Sequence, residues 1–171
     1  MDNLPLNDVA LPYSDPLHPI VVHFVIAMVL FAFLCDLVGH FSSNRDLSQD
    51  LFEVSFWNMV VASIAAFVAI IVGQFEASLA PTYPAVEGVL VKHQIIGWSL
   101  SALIAIATAW RFIIRTRSLF KVPPSYLGVA TFLIALFSLQ IYLGTQLVWT
   151  YGIHVKPVVQ AIEQGKVSQG R

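Results

Sequence analysis

Four long apolar runs divide the chain, and none shows the two-residue alternation of a half-buried strand. The first runs from Ile20 to Val38, broken only by His23 and Asp36. About 20 apolar residues in a helix cross a ~30 Å hydrocarbon core. The pattern predicts spans over about 18–40, 51–79, 85–114 and 125–150. His18-Pro19 opens the first span, because proline's missing N–H has no partner to lose in a first turn. Asp50 and Glu53 have the spacing of a capping box and set the expected start of the second. Pro81 and Pro84, then Pro123 and Pro124, make the later breaks, and Tyr151-Gly152 closes the fourth span. Residues 1–16 form a polar, acidic leader without the basic start of a signal peptide, and residues 156–171 a polar tail. Val158, Val159 and Ile162 in the tail fit one short amphipathic turn.

Composition agrees with this reading. Hydrophobic residues make up 57% of the 171, against 11% charged, and mean hydropathy is +0.76. A soluble domain carries about 25% charge. Lipid offers no hydrogen bonds to exposed backbone, so only helices or closed barrels span it, and these runs are too long for barrel strands. The expected fold is all-α, an integral membrane four-helix bundle in up-down-up-down order, with residues 17–155 as its membrane domain. Core helices of a soluble protein are the competing reading, and the length of the runs argues against it. Arg45, Arg111, Arg115, Arg117 and Lys121 cluster at the loops after the first and third spans. Those loops should therefore face the cytoplasm of a bacterial inner membrane or its thylakoid equivalent, with both termini periplasmic or lumenal.

The near-neutral net charge of -1 gives no reason to expect nucleic acid as a partner. The single cysteine, Cys35, excludes an internal disulfide and has no basic neighbour to activate it. Neither a phosphate-binding glycine loop nor a Cys-x-x-Cys-His haem attachment is present, and no repeat of fixed period is visible.

Histidine placement carries the chemistry. Four of the five, His18, His23, His93 and His154, belong to one side of the membrane, with Glu76 and Tyr151. Helices one and three run parallel, so His23 and His93 should share a depth. Neutral imidazole is a good ligand for haem iron, zinc or copper. Ala27 and Gly97 lie one turn beyond these two histidines and leave room for a porphyrin, with Lys92 near its propionates. The bland alternative is interhelical packing, and for His18 a cap on the helix start is the better reading. Glu76 either orients a ligand histidine or sits among headgroups. Asp36 and His40, four residues apart, are expected to pair and so offset the cost of an acid in the membrane. Ala62, Ala66, Ala69, Gly73 and Ala77 form a small-residue stripe on helix two, open to close backbone approach.

The segment Leu17-His18-Pro19-x-x-Val22-His23-Phe24-x-Ile26-Ala27 resembles the signature of a bacterial membrane family catalogued as domain of unknown function 2231. His93 at the start of the third span, and Gly144 to Val148 with Trp149 and Tyr151-Gly152 at the end of the fourth, are also similar to it. The resemblance implies a four-span membrane protein. Relatives joined to cytochrome c-like domains add a redox association. Val25 stands where the family usually has proline, and His154 where small residues are usual.

Three functions follow as expectations. The first is a b-type haem protein, with His23 and His93 as ligands, that transfers electrons near the non-cytoplasmic surface, with a soluble electron carrier as a candidate partner. The second is a cofactor-free accessory subunit of a larger photosynthetic or respiratory membrane complex, docked through the small-residue stripe. The third binds zinc or copper through His23 and His93, with His18, His154 and Glu76 as further ligands. An electron carrier or accessory subunit is expected rather than a substrate-converting enzyme.

Overall fold

The computed structural model describes residues 17–79, 82–117, 122–155, 158, 160, 161 and 164–166. Val159 and Ile162, and with them the expected turn of the tail, lie outside the described residues. Among these residues four long helices follow one another: α1 (Leu17–Phe41), α2 (Arg45–Leu79), α3 (Pro84–Thr116) and α4 (Pro124–Trp149). Each is long and apolar enough to cross a membrane. Proline opens α3 and α4 at their first positions, where its absent N–H has no partner to lose. The start of α2 is six residues earlier than the Asp50 capping box suggests. Asn44 is the cap: its Oδ1 accepts the N–H groups of Asp46 and Leu47, both at 3.1 Å.

The helices form a four-membered ring in which each touches its neighbours in sequence and α4 closes against α1. The α1–α2 contact is the most extensive and the α4–α1 contact the slightest. α1 and α3 are therefore parallel and diagonal. Small residues explain the tight pair. Ala62, Ala66 and Ala69 are buried in the bundle, two of them in one cluster with Val25, Val29 and Ala32 of α1. At the loop end, a Cβ on Gly39 would meet the Phe52 ring at 2.8 Å, and Ser48 donates to the Gly39 carbonyl at 2.9 Å. Most of the stripe expected as an external docking face is thus turned into the bundle.

The end of the bundle with the basic loops is tied across the diagonal. Arg111 of α3 donates through Nη2 to Asp36 of α1 at 2.9 Å and to the Phe52 carbonyl at 3.1 Å. Both charged residues are almost fully buried, Asp36 at 1% exposure and Arg111 at 3%. The guanidinium also lies 5.1 Å from the Phe52 ring centre and 5.7 Å from that of Tyr126. The expected Asp36–His40 pair is thereby corrected. Asp36 turns inward to Arg111, and the His40 ring reaches the Val122 carbonyl at 2.9 Å. A cation fixed on the opposite helix neutralises a buried carboxylate better than an imidazole on its own helix.

Candidate functional site

The other end of the bundle carries a second diagonal contact, made by histidines. The ring of His18, in the first turn of α1, lies 6.2 Å from that of His93 on α3, centre to centre, with planes at 87°. The expected partner of His93 was His23. Instead, His23 is exposed on the outer face of α1, and its Nδ1 lies 2.6 Å from the Pro19 carbonyl of its own helix. Five residues at 100° each separate His18 and His23 by about 140° around the helix, so only one of them can face the core.

Both inward rings are seated on glycine. A Cβ on Gly73 of α2 would lie 2.7 Å from Cε1 and Nδ1 of His18, and one on Gly144 of α4 would lie 3.1 Å from Cε1 of His93. Each of the two inward histidines thus packs against a gap in the following helix. His18 Nδ1 is held 2.8 Å from the Ala69 carbonyl, which fixes the proton on that nitrogen and leaves Nε2 free. Glu76 is neither a headgroup residue nor a ring partner. It is 2% exposed, and its Oε1 accepts the backbone N–H of His18 at 2.8 Å. It caps α1 from a different helix, so His18 receives a cap instead of acting as one.

His93 is held differently. The Gln140 side-chain amide of α4 donates to the His93 carbonyl at 3.0 Å and lies 3.2 Å from His93 Nε2. It reaches that carbonyl because Gly97 has no side chain; a Cβ there would meet the amide nitrogen at 3.2 Å. Gly97 therefore makes room for Gln140. Ala27 is exposed on the outer face and Lys92 is also exposed, so neither adjoins the ring pair. Among the described residues, three buried polar atoms of this end have no hydrogen-bond partner: His93 Nδ1, Gln140 Oε1 and His154 Nδ1.

His154 comes from the segment that follows α4. Gly152 takes φ +66° and His154 φ +64°, so the chain turns back over the bundle end. Ile153 N–H returns to the Leu147 carbonyl at 2.9 Å, and Tyr83 donates to the Tyr151 carbonyl at 2.7 Å. Burial lowers the His154 imidazole below its usual range; the Glu76 carboxylate opposes this and His18 adds to it. Burial, with Tyr151 nearby, raises the Tyr83 phenol. Among the described residues, no three His, Cys, Asp or Glu side chains stand close enough to share a metal ion. The expected zinc or copper ligands are separated: His23 faces outward and Glu76 is spent on backbone.

This architecture and its motif point the same way. The chain belongs to the family described as predicted membrane protein (DUF2231). The family model matches residues 14–157, which include all four spans and the turn that carries His154. No curated protein and no solved structure matches the chain. The bilayer is therefore the protein's environment, and the site has to be read from its own geometry. Sequence reasoning missed Gln140 and Gly73 as parts of that site. A glutamine within an apolar span was the available signal for the first, since an uncharged polar group in lipid also seeks a partner on another helix.

Proposed function

We propose that the protein is an integral membrane b-type haem protein in which His18 and His93 would hold the haem. In this reading it passes electrons near the periplasmic or lumenal surface, with the Arg-rich loops in the cytoplasm. The observation that carries it is the 6.2 Å separation of the two imidazoles across the bundle diagonal. Two rings bound through nitrogen to one metal ion between them, at ~2 Å per bond, have centres about 6 Å apart. The hold of the Ala69 carbonyl on His18 Nδ1 is the arrangement that orients a ligand imidazole. The unpartnered His93 Nδ1 is a nitrogen with nothing yet to bind. Haem, when bound, supplies a one-electron couple; the chain supplies the ligands, their orientation and an apolar surround.

The deciding experiment is a reduced-minus-oxidised spectrum of protein made with ample haem. The expected result is an alpha band that His18→Ala and His93→Ala each abolish and His23→Ala leaves intact. A featureless spectrum, or a band that survives loss of both inward histidines, refutes the proposal.

A second reading has one observation in its favour. Gln140 fills the space above Gly97, which suits a polar packing layer that needs no cofactor. An accessory subunit of a larger membrane complex would then show no band and would co-purify with that complex in mild detergent. His18→Ala should leave that association in place. Transport across the bilayer is disfavoured, because the interior between the two diagonal contacts is lined by Val25, Val29, Leu100, Ile104 and Ala66.

A further inference from the structure

The two diagonal contacts share one register. A shift of 75 residues places His18 on His93 and Asp36 on Arg111. The same shift carries Val25, Val29, Ala32 and Gly39 of α1 onto Leu100, Ile104, Ala107 and Ile114 of α3, and every one of these is buried. A shift of 74 carries Phe52, Met59 and Ala69 of α2 onto Tyr126, Leu133 and Leu143 of α4, again all buried. Phe52 and Tyr126 lie on either side of the Arg111 guanidinium. Each histidine also rests on a glycine of its own hairpin, His18 on Gly73 and His93 on Gly144, although these two glycines are 71 residues apart and so lie about one turn out of the 74-residue register. What repeats is position and burial more than residue type, which is why no period is visible in the sequence.

We infer that the chain is two copies of one histidine-bearing helical hairpin, and that Asp36 and Arg111 are the charge key that selects the unlike pairing and sets His18 opposite His93. The two hairpins face each other about an axis parallel to the bundle, as parallel repeats in membrane proteins do. On such an axis each position meets its own equivalent. Like pairing is harmless at the histidines. At the other contact it would set Asp36 against a second Asp36, or Arg111 against a second Arg111. An unpaired charge in a span is already costly, before any repulsion between like charges. Only the unlike pairing neutralises both, so this contact both attracts the right half and rejects the wrong one.

The key acts at a distance. Eighteen residues separate the two contacts along α1, and the same number along α3. That is five helical turns, or ~27 Å, so both contacts lie on one helix face near opposite edges of the hydrocarbon layer. Rotation of either helix that breaks the charged contact also turns its histidine away. A guest seated between the histidines lies on the axis and meets one imidazole on each of its faces. None of this requires haem.

The test uses the full chain with His18→Cys, His93→Cys and Cys35→Ala, and measures linking of the two thiols by a series of short bis-maleimides. Asp36→Arg alone and Arg111→Asp alone should each lower the linking yield at least tenfold. The exchange Asp36→Arg with Arg111→Asp should restore it, because the two positions are equivalent. Two results overturn the inference: single reversals that link as well as the parent, or an exchanged protein that links no better than either single. Should the single reversals fail to accumulate in the membrane, the exchanged protein decides alone, and its failure to accumulate or link also overturns the inference.

Discussion

Replacement of Gly73 by alanine probes how His18 is held. The added Cβ would lie 2.7 Å from Cε1 and Nδ1 of the ring and 3.3 Å from Cγ. Three atoms of one ring are crowded together, so a small tilt does not clear the methyl group. The imidazole must swing away, and its 2.8 Å contact with the Ala69 carbonyl is lost. A buried polar group left without its partner costs ~1–3 kcal/mol, and forced repacking costs a further ~1–3. Alanine recovers ~1 kcal/mol over glycine inside a helix. The net is ~1–5 kcal/mol of destabilisation, opposite in sign to an ordinary helical Gly→Ala change.

The protein supplies its own controls. A Cβ on Gly88 of α3 or Gly128 of α4 meets nothing within 4 Å. Gly88→Ala and Gly128→Ala should be neutral or stabilising by up to ~1 kcal/mol. Gly144→Ala should fall between, because the approach to His93 is 3.1 Å and the ring can give by a few tenths of an ångström. Equilibrium unfolding in mixed micelles, followed by circular dichroism, ranks the four variants. If Gly73→Ala unfolds at the same denaturing-detergent fraction as Gly88→Ala, His18 is not seated against α2 and the geometry of the histidine contact is wrong.

Other consequences are simpler to test. His23→Ala should change stability by no more than ~0.5 kcal/mol, because the ring is exposed and bonds only within its own turn; unfolding in the same micelles checks this. The lowered pKa of His154 makes the folded state prefer neutral imidazole. Its contribution is complete above the unfolded value, near 6.5, and is lost as pH falls through the lower folded value. Protection of the amides at Gly152–Val155, each rate taken relative to its intrinsic rate at that pH, should therefore fall as pH drops below about 6.5, and His154→Ala should remove that dependence. Tyr83→Phe deletes the 2.7 Å bond to the Tyr151 carbonyl. It should loosen the same segment by ~0.5–1.5 kcal/mol at constant pH, read from the same amides.

Depth in the membrane was legible from the sequence, because run length and proline breaks fix it. Pro84 and Pro124 stand at the first helical positions, as their chemistry requires. His18, Glu76, His93 and His154 were all assigned to one end of the bundle, and contacts at that end join three of them: His18 to His93 and to Glu76. The start of α2 was misread because Asn44 supplies a stronger cap than a second acid pair a turn and a half later. The segment after Thr150 was beyond reach, since its turn is held by tertiary contacts, Tyr83 at the Tyr151 carbonyl and Ile153 at the Leu147 carbonyl.

Azimuth is the harder quantity. All four helices are apolar on every side, because lipid and core ask for similar residues, so hydrophobic periodicity gives almost no direction. Polar residues do give it, through the expense of leaving them in lipid. Asp36 cannot face lipid, and a residue eighteen positions earlier lies five full turns away on the same face. That residue is His18. Arg111 on α3 is subject to the same constraint, and eighteen positions before it stands His93. The charged contact at one edge of the bilayer therefore identifies which histidines meet at the other. His23 fails the same test, since thirteen residues from Asp36 is about 3.6 turns, on nearly the opposite side of the helix.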